Sequence, residues 1–209
     1  MQSTLEPAGP AAAAIARSWW IMAAGALAIL ALVCGLAAWA VFHGAGRRAP
    51  SPRLLIVGGG VLLPVVVLTT LLIHGLQLMA RAAPGPAALE VQVVARQWSW
   101  EVRYPAPAGG EQRVATGELR IPAGRPVLLR LSSPDVIHSF WVPRLAGKMD
   151  VIPGHERRLV IEASQPGRFR GQCAEFCGAG HAHMTLWVLA LPPAEFDAWL
   201  AGGAGAEGR

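Results

Sequence analysis

The sequence predicts a two-helix transmembrane hairpin followed by an all-β sandwich or barrel and a short C-terminal helix. Three observations predict it. Two uncharged apolar runs, Trp19 to Phe42 and Leu54 to Met79, stand in the first half of the chain. Beyond them the pattern changes to short alternating stretches cut by Gly and Pro. The composition agrees, since 53% of the 209 residues are hydrophobic, only 15% are charged, and the mean hydropathy is +0.40. That balance excludes a disordered chain and a disulfide-dense mini-protein. Three cysteines cannot build a disulfide framework.

Residues 1–18 are expected to form an external N-terminal segment. The first span, residues 19–42, is 24 residues long, about 36 Å as a helix at about 1.5 Å per residue, which is enough to cross a bilayer core. A cleaved signal peptide ending near Ala38, Trp39 and Ala40 is the alternative, but the run is long for that and would send the following arginines outward. Cys34 lies mid-span and reads as a small packing residue. The loop 43–53 holds Arg47, Arg48 and Arg53, against Arg17 alone before the first span, so it is placed in the cytoplasm with both termini outside.

The second span, residues 54–79, is broken only by Pro64, His74 and Gln77. Its Gly58, Gly59 and Gly60 would let another helix approach closely. His74 and Gln77 sit in its last turns, where interfacial hydrogen bonding fits better than an ion path. The net charge is +5, and residues 1–81 account for +4 of it with five arginines against Glu6. The pI near 10.1 therefore reflects membrane topology, and no nucleic-acid partner is expected.

Residues 80–88, with Ala82, Ala83, Pro84, Gly85 and Pro86, read as a stiff linker, and residues 89–201 as the external domain. Strands are expected at Glu90 to Val102, Glu118 to Ile121, Pro126 to Ser132, His138 to Val142, Arg157 to Glu162 and Thr185 to Ala190. Strands at this spacing predict a sandwich or barrel. A helix is expected to start near Pro193, and residues 202–209 form a flexible Gly-rich tail. No repeat, phosphate-cradling loop or Ser/His/Asp motif stands out. The triple glycine lacks the strand-turn-helix setting of a dinucleotide site.

The chemistry is concentrated between Gly171 and Met184, which compresses Cys173, Cys177, His181, His183 and Met184 into a dozen positions. Thiolate and thioether sulfur favour Cu(I), and imidazole tolerates both copper oxidation states. Another imidazole, His138, lies upstream just inside a predicted strand. A mononuclear blue-copper site uses one cysteine. Two cysteines four residues apart allow both sulfurs to bridge two coppers, one capped by His138 and the other by His181, with Met184 and a backbone carbonyl as weak outer ligands. Sharing one electron over two metals lowers the reorganisation barrier and suits electron transfer. A Cys173–Cys177 disulfide and a structural zinc site remain alternatives. His138, His181 and Met184 together favour copper over both.

These residues closely resemble subunit II of the haem-copper cytochrome c oxidases. The resemblance runs from the two spans through Ala95, Arg96, Gln97, Trp98, Ser99, Trp100 and Asp135, Val136, Ile137, His138, Ser139, Phe140 to the cysteine loop. It implies a cupredoxin-like domain holding the dinuclear centre CuA on His138, Cys173, Cys177, His181, Met184 and the main-chain carbonyl of Glu175. It further implies a magnesium ion, shared with the catalytic subunit, on the side chain of Glu175. Trp98 matches the tryptophan at which electrons from cytochrome c arrive, and Asp135 an acid of the cytochrome docking face.

Three departures stand beside it. Ser99 replaces the usual aromatic between Trp98 and Trp100. Val57 stands where many relatives carry a glutamate at the mouth of a proton path. No Cys-x-x-Cys-His follows the domain, so no fused cytochrome c is expected. Related quinol oxidase subunits have lost the copper ligands that are all present here. His183 is expected to be exposed rather than coordinating.

The resemblance thus implies the electron-accepting subunit of a membrane terminal oxidase. Its partners would be the catalytic subunit I, which alone holds the haems and CuB and reduces oxygen with proton pumping, subunit III, cytochrome c and membrane lipid. The expected location is a bacterial-type inner membrane, with the copper domain on the periplasmic side. The copper subunit of a nitric oxide reductase and a freestanding membrane-tethered cupredoxin are the alternatives. Two spans with a Gly-rich face favour a large membrane partner over a mere tether.

Overall fold

Helix formation begins where the sequence turns alanine-rich, nine residues before the long apolar run. Helix α1 occupies Pro10–His43, with proline at its first position, where the missing N–H costs nothing. The computed structural model describes residues 3–43, 51–81, 89–105 and 112–202. The chain divides into two units, Arg17–Ala83 and Met1–Ala16 with Pro84–Arg209. Most of the predicted cytoplasmic loop, the linker from residue 82 and the tail from residue 203 lie outside the described residues.

In the first unit the second apolar run is helical throughout but does not start as an α-helix. Leu54–Leu62 is π-helical, with the Leu63 N–H bonded to the Gly58 carbonyl, and helix α2 follows at Leu63–Arg81. The three glycines, poor α-formers, fall in this wider turn. A methyl group built on Gly59 or Gly60 would meet nothing within 4 Å, so that face is open to a close-packed helix. Both helices are long and apolar enough to span a membrane. His74 Nε2 lies 3.0 Å from Ser18 Oγ, a hydrogen bond between the two apolar helices.

The second unit is a β-sandwich of two five-stranded sheets. One sheet contains β1 (Leu89–Arg96), β2 (Ser99–Arg103), β3 (Val114–Thr116), β5 (Val127–Ser132) and β8 (Arg157–Ile161), in the order β3-β2-β1-β5-β8. The other contains β4 (Glu118–Pro122), β6 (His138–Trp141), β7 (Met149–Val151), β9 (Gly167–Cys173) and β10 (Thr185–Leu191), in the order β4-β10-β9-β6-β7. The pairs β1–β5 and β4–β10 are parallel and the others antiparallel. Strand β10 shows the period of two, with Leu186, Val188 and Ala190 buried between the sheets and Trp187 and Leu189 turned away.

The expected single strand Glu90 to Val102 is two strands. It folds back at Gln97–Trp98, a cis peptide, with Arg96 opposite Ser99. No Gly, Pro, Asn or Asp marks this turn, so local sequence carries no punctuation for it. Its partners are remote: the Gln97 N–H donates to Asp135 Oδ2 at 2.8 Å. Strands β3, β7 and β9 were not among the expected elements. The first two are three residues long, and β9 alternates arginine with glycine and phenylalanine.

Residues before the first span pack on the sandwich. The Ala8 N–H donates to the Arg144 carbonyl, and the Ser164 N–H to the Ala8 carbonyl. Gly9 passes so close to the Glu162 carbonyl that a Cβ would lie 2.1 Å from it. Helix α3 (Pro193–Leu200) starts where expected. It buries Phe196 and sets Trp199 edge-on against Tyr104, flanked by the guanidiniums of Arg113 and Arg120.

Candidate metal centre

The sandwich brings His138 and the cysteine loop together at one end of the second sheet. His138 opens β6, Cys173 closes β9, and the pairing of Phe140 with Cys173 aligns the two strands. The chain then loops back through a short 3₁₀ turn, His181–His183, to Met184 and β10. The Cys173 N–H donates to the Met184 carbonyl at 2.9 Å, closing the loop at its base, and the Ala174 N–H ties it to the Ser139 carbonyl at 2.9 Å. Gly178, at φ +113°, supplies a backbone angle that a side chain would disfavour.

Six donor atoms converge there. Cys173 Sγ and Cys177 Sγ are 3.8 Å apart. His138 Nδ1 lies 3.9 Å from Cys173 Sγ, and His181 Nδ1 lies 3.6 Å from Cys177 Sγ. Met184 Sδ is 3.7 Å from Cys177 Sγ, and the Glu175 carbonyl oxygen is 3.2 Å from Cys173 Sγ. His138, Cys173, Cys177 and Met184 are buried. His183 is exposed on the same turn.

This donor set tests the alternatives. The two sulfurs are far beyond the ~2.05 Å of a disulfide bond, and both cysteines are free. Structural zinc takes four ligands in a closed tetrahedron, whereas here two sulfurs stand between further nitrogen, sulfur and oxygen donors on both sides. Two thiols flanked by two imidazoles, a thioether and a carbonyl form a donor set suited to copper.

The protonation of the site follows from its surroundings. Burial pushes the Cys177 thiol up to about 11, and the neighbouring Cys173 and Asp135 add to the effect. A cation that demands thiolate reverses this and releases protons as it binds. His138 Nε2 lies 2.9 Å from Asp135 Oδ1. A carboxylate accepts, so the proton sits on Nε2 and the Nδ1 lone pair faces Cys173. Burial raises the Asp135 carboxyl, but hydrogen bonds from His138, from the N–H groups of Gln97 and Val136 and from the Ser133 hydroxyl outweigh it. They hold it well below the usual carboxylate range.

Asp135 is thus engaged inward, a role its position three residues before His138 could have announced. The Trp98 indole lies against the loop: its Nε1–H donates to the Cys177 carbonyl at 3.2 Å, and Gln97 Nε2 donates to the same oxygen at 2.8 Å. A Cβ on Gly180 would stand 2.4 Å from that indole. Trp98 remains 44% exposed and so joins solvent to the loop. Sequence reasoning missed Gln97 and also Phe176, which is 75% exposed with its ring 5.8 Å from that of His181. Glu175 Oε1 accepts the Phe176 N–H at 3.3 Å. Val57 places no carboxylate in the π-helical segment.

Residues 108–191 match the family model described as cytochrome c oxidase subunit II, periplasmic domain. The chain is 37% identical over 142 residues to a cytochrome c oxidase subunit 2 of Alkalihalophilus pseudofirmus, covering 66% of this chain and 40% of that one. It is 43% identical over 120 residues to the corresponding protein of Synechocystis sp., covering 57% and 35%. The chain therefore spans less than half the length of these relatives. Among solved structures, the periplasmic domain of subunit II of cytochrome oxidase of Bradyrhizobium japonicum is similar with a TM-score of 0.51 and 28% identity, over 56% of this chain and 93% of that one.

Proposed function

We propose that the chain is a member of the cytochrome c oxidase subunit II family, whose periplasmic-domain model matches residues 108–191 and whose relatives are 37% and 43% identical over the matched regions, and that it is the electron-accepting subunit of a membrane-bound terminal oxidase. The observation that carries this reading is the pair of unbridged, buried thiols 3.8 Å apart with an imidazole on either side. His138, Cys173, Cys177, His181, Met184 and the Glu175 carbonyl would hold two coppers. Bound there, the dinuclear centre supplies a one-electron couple whose charge change is spread over two metals and two sulfurs.

The surrounding residues prepare that chemistry. Asp135 keeps the His138 proton on Nε2, so that Nδ1 stays a ligand. Buried Met184, Phe140 and Trp100 keep water from the sulfur side. Trp98 offers a route from solvent through one hydrogen bond to the Cys177 carbonyl, and hence to its sulfur through a few covalent bonds. The exposed side chains of Trp98, Ile137 and Phe176 give the site an apolar rim suited to protein partners. Electrons from cytochrome c would arrive at Trp98 and leave for haem in a catalytic subunit, where oxygen is reduced to water with proton translocation.

The Glu175 carboxylate would join a magnesium site completed by that catalytic subunit. The open Gly59–Gly60 stretch supports close packing against its helices, with subunit III as a further partner. Two apolar helices and a periplasmic-type domain support anchoring in a bacterial inner membrane with the copper domain outside. The test is copper content and electron paramagnetic resonance of the copper-loaded chain. Two coppers and a hyperfine pattern from one electron shared equally over both nuclei are expected; one copper with a single-nucleus pattern overturns the reading.

A further inference from the structure

Strand β9 uses its two faces differently. Phe169, Gly171 and Cys173 turn into the sandwich, and Arg168, Arg170 and Gln172 turn outward. Trp187 of β10 stands opposite Arg170, and Trp141 of β6 opposite Gln172. With Arg144 and the N-terminal residues Ser3 to Leu5, this outer face lines a half-open cavity of about 770 Å³. That is the size of a small-molecule site.

No acidic side chain lines the cavity. Among the described residues none of its three arginines has an ion pair, whereas Arg103, Arg120, Arg125 and Arg130 pair with Glu101, Glu118, Asp197 and Glu156. The nearest strand neighbour of opposite charge is Glu118, opposite Trp187, and Arg120 already engages it at 2.7 Å. Two of the three guanidiniums are nonetheless held in place. The Arg168 guanidinium lies 3.9 Å over the Trp187 ring, and Arg144 lies 5.6 Å over Phe169 with its Nε–H on the Glu6 carbonyl at 2.8 Å.

Stacking and a single bond to a backbone carbonyl fix guanidiniums without neutralising them. Their remaining N–H edges form forks that match oxyanions. Three like charges around one cavity repel each other, and a multivalent anion turns that repulsion into attraction. One carboxylate saturates one fork, whereas a phosphate shares its oxygens among several. The indoles of Trp141 and Trp187 flank the forks and suit an apolar or ester portion of the same molecule.

We propose that the Arg144–Arg168–Arg170 pocket is a binding site for a phosphate-bearing anion. The phosphate is that of a soluble compound or of a phospholipid headgroup, and two experimental arms separate these sources. In the first, the full chain in non-ionic detergent is titrated with pyrophosphate by calorimetry. In the second, the same protein is exposed to phosphatidylglycerol or to a phosphate-free glycolipid, and bound lipid is counted by native mass spectrometry.

Saturable one-to-one binding in either arm is expected, weakened about tenfold for each guanidinium removed in R144Q and in the R168Q/R170Q double variant. R157Q, on the other sheet, leaves it unchanged. Near-UV circular dichroism establishes that each variant is folded, and R168K/R170K, which keeps the charge and loses the forks, substitutes if the glutamine pair is not. Absence of saturable binding in both arms, binding indifferent to Arg168 and Arg170, or preference for a Glu-rich peptide over both probes overturns the proposal.

Discussion

Asp135 and His138 form a rigid couple: Asp135 Oδ1 lies 2.9 Å from His138 Nε2, and the opposite ring nitrogen lies 3.9 Å from Cys173 Sγ. The carboxylate also accepts from Gln97, the residue before Trp98, so one acid aligns a metal-facing imidazole and the turn that carries the exposed indole. Asp135→Ala is expected to weaken copper binding by about 10- to 100-fold, the usual effect of losing such a partner. Asp135→Asn, which can still accept the Nε2–H, is expected to restore most of the affinity with a shifted reduction potential. Competition with a copper chelator and voltammetry check both. If Asp135 acted only in docking, its loss would change the salt dependence of the reaction with cytochrome c and leave copper affinity intact.

Removing one sulfur has a different signature. Cys177→Ser is expected to abolish the shared-electron resonance pattern and to halve the copper content. Met184→Leu, which removes an outer thioether and preserves volume, is expected to keep two coppers and move the potential. Metal analysis with paramagnetic resonance distinguishes the two results.

Copper uptake is expected to strengthen as pH rises. The Cys177 thiol, pushed up to about 11 by burial, is protonated at neutral pH without metal, and the metal competes with that proton. Proton release on binding, followed by a pH indicator in weak buffer, measures it. Uptake that is equally tight and proton-free across pH 6 to 8 would contradict the expectation.

Tyr104 sets an alkaline limit on the sandwich. Its hydroxyl donates to the Arg120 carbonyl and accepts the Arg120 N–H, and burial drives its pKa well above the ordinary value of about 10. Below that value folded and unfolded chains both carry the proton, so the stability is fully present. Above it the unfolded chain ionises first and stability falls with rising pH. Tyr104→Phe is expected to flatten this decline while lowering stability at neutral pH by about 1–3 kcal/mol through the orphaned Arg120 N–H. Denaturant titrations at pH 7 and pH 11 test both parts.

Gly180→Ala would place a methyl 2.4 Å from the Trp98 indole and force it off the loop. The expected result is full copper content with electron acceptance from cytochrome c slowed by about 10- to 100-fold, the scale of a misplacement near 1 Å. Stopped-flow reduction of the loaded protein reads it.

Much of this molecule is legible in the sequence because its signals are strong and local. The apolar runs, the alternation in β10, Pro193 at the start of α3 and the crowding of sulfur and imidazole between Cys173 and Met184 each need only a short window. What escaped depends on remote partners. The Gln97–Trp98 turn is secured by Asp135 and by the Cys177 carbonyl, neither of which is near it in sequence. Asp135 is exposed at the surface, and sequence spacing places it near His138 without saying that its carboxylate also bonds the imidazole and the Gln97 N–H. The π-helical start at Leu54 escaped because hydropathy does not register which turn a helix adopts.

Five of the six donors come from one stretch of twelve residues, Cys173 to Met184, tied at its base by a single backbone hydrogen bond. Only His138 is supplied from elsewhere, and the strand pairing that supplies it is needed by the sandwich in any case. The persistence of the fold and the persistence of the metal are therefore separable traits. Drift confined to this cassette would erase the proposed redox function and leave an intact scaffold, whereas drift in the sheets would cost both. Descendants of such a domain can thus outlive their copper.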